Sequence, residues 1–166
     1  MFFLDTHEEE YYCPICQSKL VHRDFRKRIM KAEGGITAFV AIERMKCTND
    51  SCRRIHNVLP DFLVPYKQYT AEVISGVLDD VIYPDDIEDT SYPCETTMLR
   101  WKQWLEENRL RAEGYLRNIG HQFLNFGEQL LDSTVSLLDR IRGKSPLWLE
   151  TVLRIIYNAG GWLEAI

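Results

Sequence analysis

An α+β fold is predicted here, with a small N-terminal sheet followed by a helical body. Three observations predict it. Two close cysteine pairs flank a segment rich in Val, Ile, Phe and Thr. Beyond residue 65, apolar residues recur at steps of three and four, the period of helices with one buried face. At 166 residues and 45% hydrophobic content, the chain has enough apolar material for one core, or for two small units sharing one. Charged residues make up 27%, which excludes a fibrous or disordered chain. The boundaries expected are 1–60 for the sheet unit, 61–110 for a first helical unit and 111–166 for a C-terminal helical region.

The cysteines set the chemistry of the first unit. Cys13 and Cys16 are separated by two residues, and Cys47 and Cys52 by four. Each pair suits a knuckle whose two thiolates point at one ion. The segment between them forms the hairpin that brings the knuckles together. Four sulfurs at about 2.3 Å complete a tetrahedral Zn²⁺ site with no open position. Pro14 and Ile15 lie inside the first knuckle, and Asn49-Asp50 suits the turn of the second. Five cysteines make a poor disulfide framework, and a redox Cys-x-x-Cys lacks the helix that should follow it. His56 lies four residues beyond Cys52 and is a possible substitute ligand, although such a side chain is expected to face solvent. Cys94 is remote and is read as a non-ligand.

The hairpin strands are "SKLVHRDFRKRIMKA" and "ITAFVAIERMKC", with a turn at Glu33–Gly35. Two or three antiparallel strands are expected. So small a sheet has little core, and the metal supplies the missing stability as a fold requirement.

The helical unit follows a connector kept extended by Pro60 and Pro65. A first helix is expected from Pro65, burying Tyr66, Tyr69, Val73, Ile74, Val77 and Leu78. "YPDDIEDTSYP" is an acidic turn. A second helix opens at "CETT" and runs over 95–108, burying Met98, Trp101, Trp104 and Leu105. Its other side carries Thr96, Thr97, Arg100 and Gln103, with Lys102 flanking. Helix, turn and a helix with polar residues near its start is helix-turn-helix logic. Arg can grip guanine through two bonds, and Gln can do the same with adenine. The plainer reading of Arg100 and Gln103 is solvated surface. Trp101 and Trp104 are better suited to core than to stacking on bases.

The last third is helical throughout. Leu116, Ile119, Phe123, Phe126, Leu130, Leu131, Leu137, Leu138 and Ile141 make a stripe that Gly143 ends. Ser145 and Pro146 open a final helix that stops at Gly160-Gly161. This surface either closes over the preceding helices or forms a homodimer seam. His121 is read as structural. No triad, paired acids on one rigid element or phosphate loop is present, so no enzyme is expected. Asp79-Asp80 and Asp85-Asp86 are read as solvated surface ahead of a Mg²⁺ site.

The net charge of −5 is unevenly spread. Residues 1–58 hold ten basic and eight acidic side chains, residues 59–98 one and nine, and residues 99–166 nine and eight. Neither a signal peptide nor a membrane span is read in the chain, so a cytoplasmic location is expected.

The motifs "CPIC", "IERMKCTNDSCRRIHNVLPDFLVPYKQYTAEVI" and "ETTMLRWKQW", and more loosely "NAGGWL", resemble a zinc-ribbon family of bacterial proteins frequent in Firmicutes and their mobile elements. The "Arg-Trp-Lys" helix is similar to the recognition helix of transposase-associated DNA-binding proteins. The resemblance implies a zinc ribbon followed by a helix-turn-helix that serves DNA binding in a transposon or phage setting. The acidic turn departs from a DNA-facing surface, because carboxylates beside phosphates oppose docking.

Two functions follow as expectations. In the first, the chain is a DNA-binding regulator or accessory factor. Thr96, Thr97, Arg100, Lys102 and Gln103 enter the groove, while Arg23, Arg26, Lys27, Arg28, Arg53 and Arg54 hold phosphates. In the second, it is a protein-interaction module, an inhibitor of a nucleic-acid-binding host or phage defence protein, that uses the acidic 79–95 segment and the C-terminal helices.

Overall fold

The computed structural model describes residues 1–3, 10–84, 93–123 and 135–165, with backbone alone for residues 120–123. Four strands form one sheet: β1 (Phe2–Phe3), β2 (Leu20–Lys31), β3 (Thr37–Cys47) and β4 (Ile55–Leu59), in the spatial order β1-β4-β3-β2. Among the described residues four helices follow: α1 (Ala71–Leu78), α2 (Glu95–Phe123), α3 (Leu137–Arg142) and α4 (Trp148–Asn158). The mixed α+β order is therefore the one read from the sequence. The sheet has one strand more than expected, because Phe2 and Phe3 pair in parallel with Val58 and Leu59. Asn158, at the end of α4, occupies the other edge of β1. Its Oδ1 accepts from the Phe3 backbone N–H at 2.7 Å.

β2 and β3 form the long hairpin, turned by a single 3₁₀ turn at Glu33–Gly35. Gly34 and Gly35 both hold positive φ there, which glycine adopts without a Cβ penalty. The register slips by one residue between His22 and Asp24. A slip of one reverses which face each side chain takes, so this bulge keeps Leu20 and Phe25 on the same face of the sheet. Phe3, Ile42 and Leu59 on the opposite face join the helices in the large core.

The helices bury the stripes that their spacing predicts. Met98, Trp101 and Trp104 are buried, and Leu105 packs against the same cluster. α2 runs unbroken across residue 110 and packs on α1, α3 and α4. Glu113 reaches from α2 to the start of α3, where its carboxylate accepts from the Leu137 and Leu138 N–H groups at 3.1 and 3.0 Å. Negative charge at a helix N-terminus is favourable. Arg142 of α3 in turn binds the Leu78 carbonyl and Asp79 at the end of α1.

Two helix starts differ from expectation. α1 begins at Ala71 and not at Pro65, with the Thr70 hydroxyl accepting from Val73 N–H. Tyr66 takes φ 64° and is 68% exposed, so it leaves the predicted stripe. The physical reason lies 36 residues away: the Arg28 guanidinium binds the Val64 and Lys67 carbonyls, which a helix from Pro65 would have used internally. The final helix begins at Trp148, with Ser145 closing a turn before it through its hydroxyl and carbonyl. α1 and α2 are separated by residues 79–94, whereas the turn of a helix-turn-helix has three or four residues. Phe126, Leu130, Leu131 and the side chains of His121 and Phe123 lie outside the described residues. So do Asp85, Asp86 and Glu88.

The predicted stop at Gly160-Gly161 holds, and it has a tertiary reason. Gly160 has φ 81°, and a Cβ there would lie 2.7 Å from the Pro14 carbonyl oxygen. The end of the helical body thus rests directly on the first cysteine knuckle.

Candidate metal centre

Both knuckles are built from local hydrogen bonds. In the first, Gln17 N–H donates to the Cys13 carbonyl and Cys13 N–H to the Ser18 carbonyl, both at 2.8 Å. In the second, Cys52 and Arg53 N–H groups donate to the Asn49 carbonyl, and the Asn49 side chain accepts from Ser51 N–H at 2.9 Å. Gln17 and Arg53 turn the chain in the left-handed region. Leu20 pairs with Cys47 at the base of the hairpin and so brings the two knuckles together.

The four sulfurs of Cys13, Cys16, Cys47 and Cys52 lie within 4.8 Å of one another. Cys16 and Cys47 are 3.4 Å apart, and Cys13 and Cys52 are 3.9 Å apart. Sulfurs on a tetrahedral ion with bonds of about 2.3 Å would sit about 3.8 Å apart. The cluster therefore fits a four-thiolate metal site. Hydrogen bonds from the backbone and side chain of Ser18 draw the Cys16 thiol down to about 6. Burial pushes Cys47 up to about 12. Four adjacent thiolates repel, and a cation is what makes their full ionisation favourable.

His56 is buried, not solvent-facing as expected. Its Nε2 is 3.3 Å from Cys13 Sγ, yet it does not join the mutually close set. A ring nitrogen there is placed to donate to a thiolate and so to orient a ligand. Burial brings its pKa down to about 4. β4 places it beside Met45, and its ring centroid is 6.2 Å from that of Phe2. Cys94 is exposed at the start of α2, away from the cluster.

The residues expected to touch DNA fall in two places. Arg23, Arg26 and Lys27 are exposed on β2, and Arg54 just before β4. Arg28 is committed to the Val64 and Lys67 carbonyls. Arg53 pairs with Asp50 at 3.1 Å, and Arg23 lies 3.7 Å from Asp24. Thr96, Arg100 and Gln103 are exposed on the first turns of α2, with Thr97 partly covered. Lys102 is tied to Asp80, and Gln103 donates to Glu107 at 2.7 Å. Asp79 is engaged by Arg142 and Trp148 Nε1, whose bonds it accepts, and Asp80 remains an exposed surface carboxylate paired with Lys102. Trp101 and Trp104 are buried, as core packing predicts.

The hairpin has one open face. Phe25, Lys27 and Ile29 stand opposite Glu43, Ala41 and Phe39 in the register, on the side away from Ile42. Phe25 is 63% and Phe39 70% exposed. Among the described residues, no helix is long and apolar enough to cross a membrane.

No curated protein and no solved structure matches the chain. The family model that matches, over residues 13–101, spans both knuckles, the hairpin, α1 and the first turns of α2; the chain belongs to that family, DUF6431, a domain of unknown function.

Proposed function

We propose that this protein binds DNA through the β2–β3 hairpin, held in shape by a structural Zn²⁺ on Cys13, Cys16, Cys47 and Cys52. One observation carries the reading. The hairpin, residues 20–47, holds seven basic and three acidic side chains in a chain whose net charge is −5. A two-stranded ribbon is one of the elements the major groove admits. Arg23, Arg26, Lys27 and Arg54 supply phosphate contacts, and the open face with Phe25 and Phe39 meets the groove or a strand. Thr96, Arg100 and Gln103 on α2 form a second, smaller contact. The α1–α2 connection is too long for the second helix to be the main reader. Four thiolates leave the ion no open position, so its role is scaffolding and not catalysis. A regulator or mobile-element factor would need no more than this.

The test is a salt titration on unphosphorylated blunt duplex DNA. Each phosphate contact steepens the fall of affinity with salt. The double variant Arg23→Glu/Lys27→Glu should bind at least tenfold more weakly, with a shallower slope. Arg100→Glu should have the smaller effect. If the double variant binds like the original and Arg100→Glu does not, α2 is the reader and the hairpin assignment is lost.

A further inference from the structure

A cleft of about 480 Å³ opens between the inner face of the hairpin and the turn at residues 64–68. Arg26 and Arg28 of β2, Asn57 of β4, and Tyr66, Lys67 and Gln68 of the turn line it. Among the described residues no carboxylate does.

Lys67 is the informative residue. It is only 8% exposed, and among the described residues no carboxylate pairs with it. Its ammonium lies 4.5 Å from the ring centre of Trp104. An aromatic face returns part of the cost of desolvating an ammonium, but less than a carboxylate would. Burial accordingly holds its pKa below the usual lysine value. Arg28 is half-buried and also depressed by burial. One of its terminal nitrogens binds two carbonyls, while Nε and the other terminal nitrogen have no partner among the described residues. Arg26 likewise forms no ion pair among the described residues. A folded protein keeps desolvated cations without counter-charges at a cost in stability, and a bound anion would offset it.

We propose that this cleft binds a phosphate ester. Arg26, Arg28 and Lys67 hold the phosphate, Asn57 and Gln68 offer amide donors, and Tyr66 at the rim supplies an aromatic face. The volume suits a mononucleotide. The phosphate comes either from a free nucleotide or from the end of a nucleic-acid strand. The site shares Arg26 with the hairpin reading, so its test uses Lys67 and Asn57, which take no part in that reading.

Calorimetry and thermal melts at matched ionic strength test it, with inorganic phosphate, adenosine monophosphate, and a short single strand with or without a 5′-phosphate. Phosphate and nucleotide should raise the melting midpoint above a chloride control. Preference for the phosphorylated strand over the mononucleotide identifies a strand end, and the reverse identifies a free nucleotide. Lys67→Met should lose at least tenfold in phosphate affinity while melting no lower than the original without ligand. Asn57→Asp, equal in shape and opposite in effect on an anion, should abolish binding. Both variants should keep duplex affinity and its salt slope, which separates this site from the hairpin. The proposal is overturned if phosphate and nucleotide stabilise no more than chloride, or if both variants bind phosphate like the original.

Discussion

The described residues form two hydrophobic clusters, and they are built on different principles. The cluster in the helical body holds 26 buried residues among those described, from Phe3 to Leu163, and four of its side chains are Trp or Tyr. The cluster at the base of the hairpin holds six: Phe2, Cys13, Leu20, Met45, Cys47 and Val58. Two of those six are cysteines of the candidate metal centre. Burial scales with size, so the first cluster can sustain itself and the second cannot. The base of the cationic hairpin thus leans on a four-cysteine cluster that could hold a metal ion, whereas the body has a core of its own.

Metal removal is the strongest way to break that contrast. Chelation, or Cys47→Ser, should release the ion and expose β3–β4 amides to hydrogen exchange. The apparent worth of such sites is about 10–16 kcal/mol in zinc-finger peptides. Fluorescence from buried Trp101, Trp104 and Trp148 should persist. If the tryptophan signal collapses together with the metal, the two clusters are one cooperative unit. Elemental analysis should find one ion per chain, and Cys94 should remain reactive in the loaded protein.

A cut in the large cluster should have the opposite signature. Leu153 is fully buried in α4. Leu153→Ala should cost about 2–5 kcal/mol by denaturant unfolding. The purified variant should still carry its ion.

Smaller changes sharpen the picture at the helix ends. Asp79→Ala leaves Trp148 Nε1 without its acceptor and Arg142 with the Leu78 carbonyl alone, at about 1–3 kcal/mol. Equilibrium melts should show a lower midpoint with unchanged metal content. Thr70→Ala removes the N-cap of α1, worth about 1 kcal/mol. An unchanged midpoint in that variant would show that packing of Val73, Ile74 and Val77 alone places the helix start.

The metal centre was legible because each knuckle is made within a few residues. Cys13 to Ser18 and Cys47 to Arg54 carry their own turns and hydrogen bonds. The buried stripe of Met98, Trp101 and Trp104 was legible for the same reason, since helical period is local. β1 was not, because two phenylalanines carry no period. Nor was the burial of His56, which needs Phe2 from the far end of the sequence. The start of α1 was misplaced because Pro65 and Tyr66 look like a helix opening until Arg28 takes the carbonyls there.

What the order of residues settled, then, is the four-thiol set, the glycine turn of the hairpin, the faces that the helices bury and the stops at Gly143 and Gly160. These follow from backbone geometry and periodicity acting over one or two turns of chain. Which cations are spent and which remain available was settled by folding. Arg28, Lys102 and Arg142 are bound to partners 22 to 64 residues away, whereas Lys67 is buried with no carboxylate partner among the described residues. Charge pairing and desolvation depend on distance in space, and spacing along a chain does not report it.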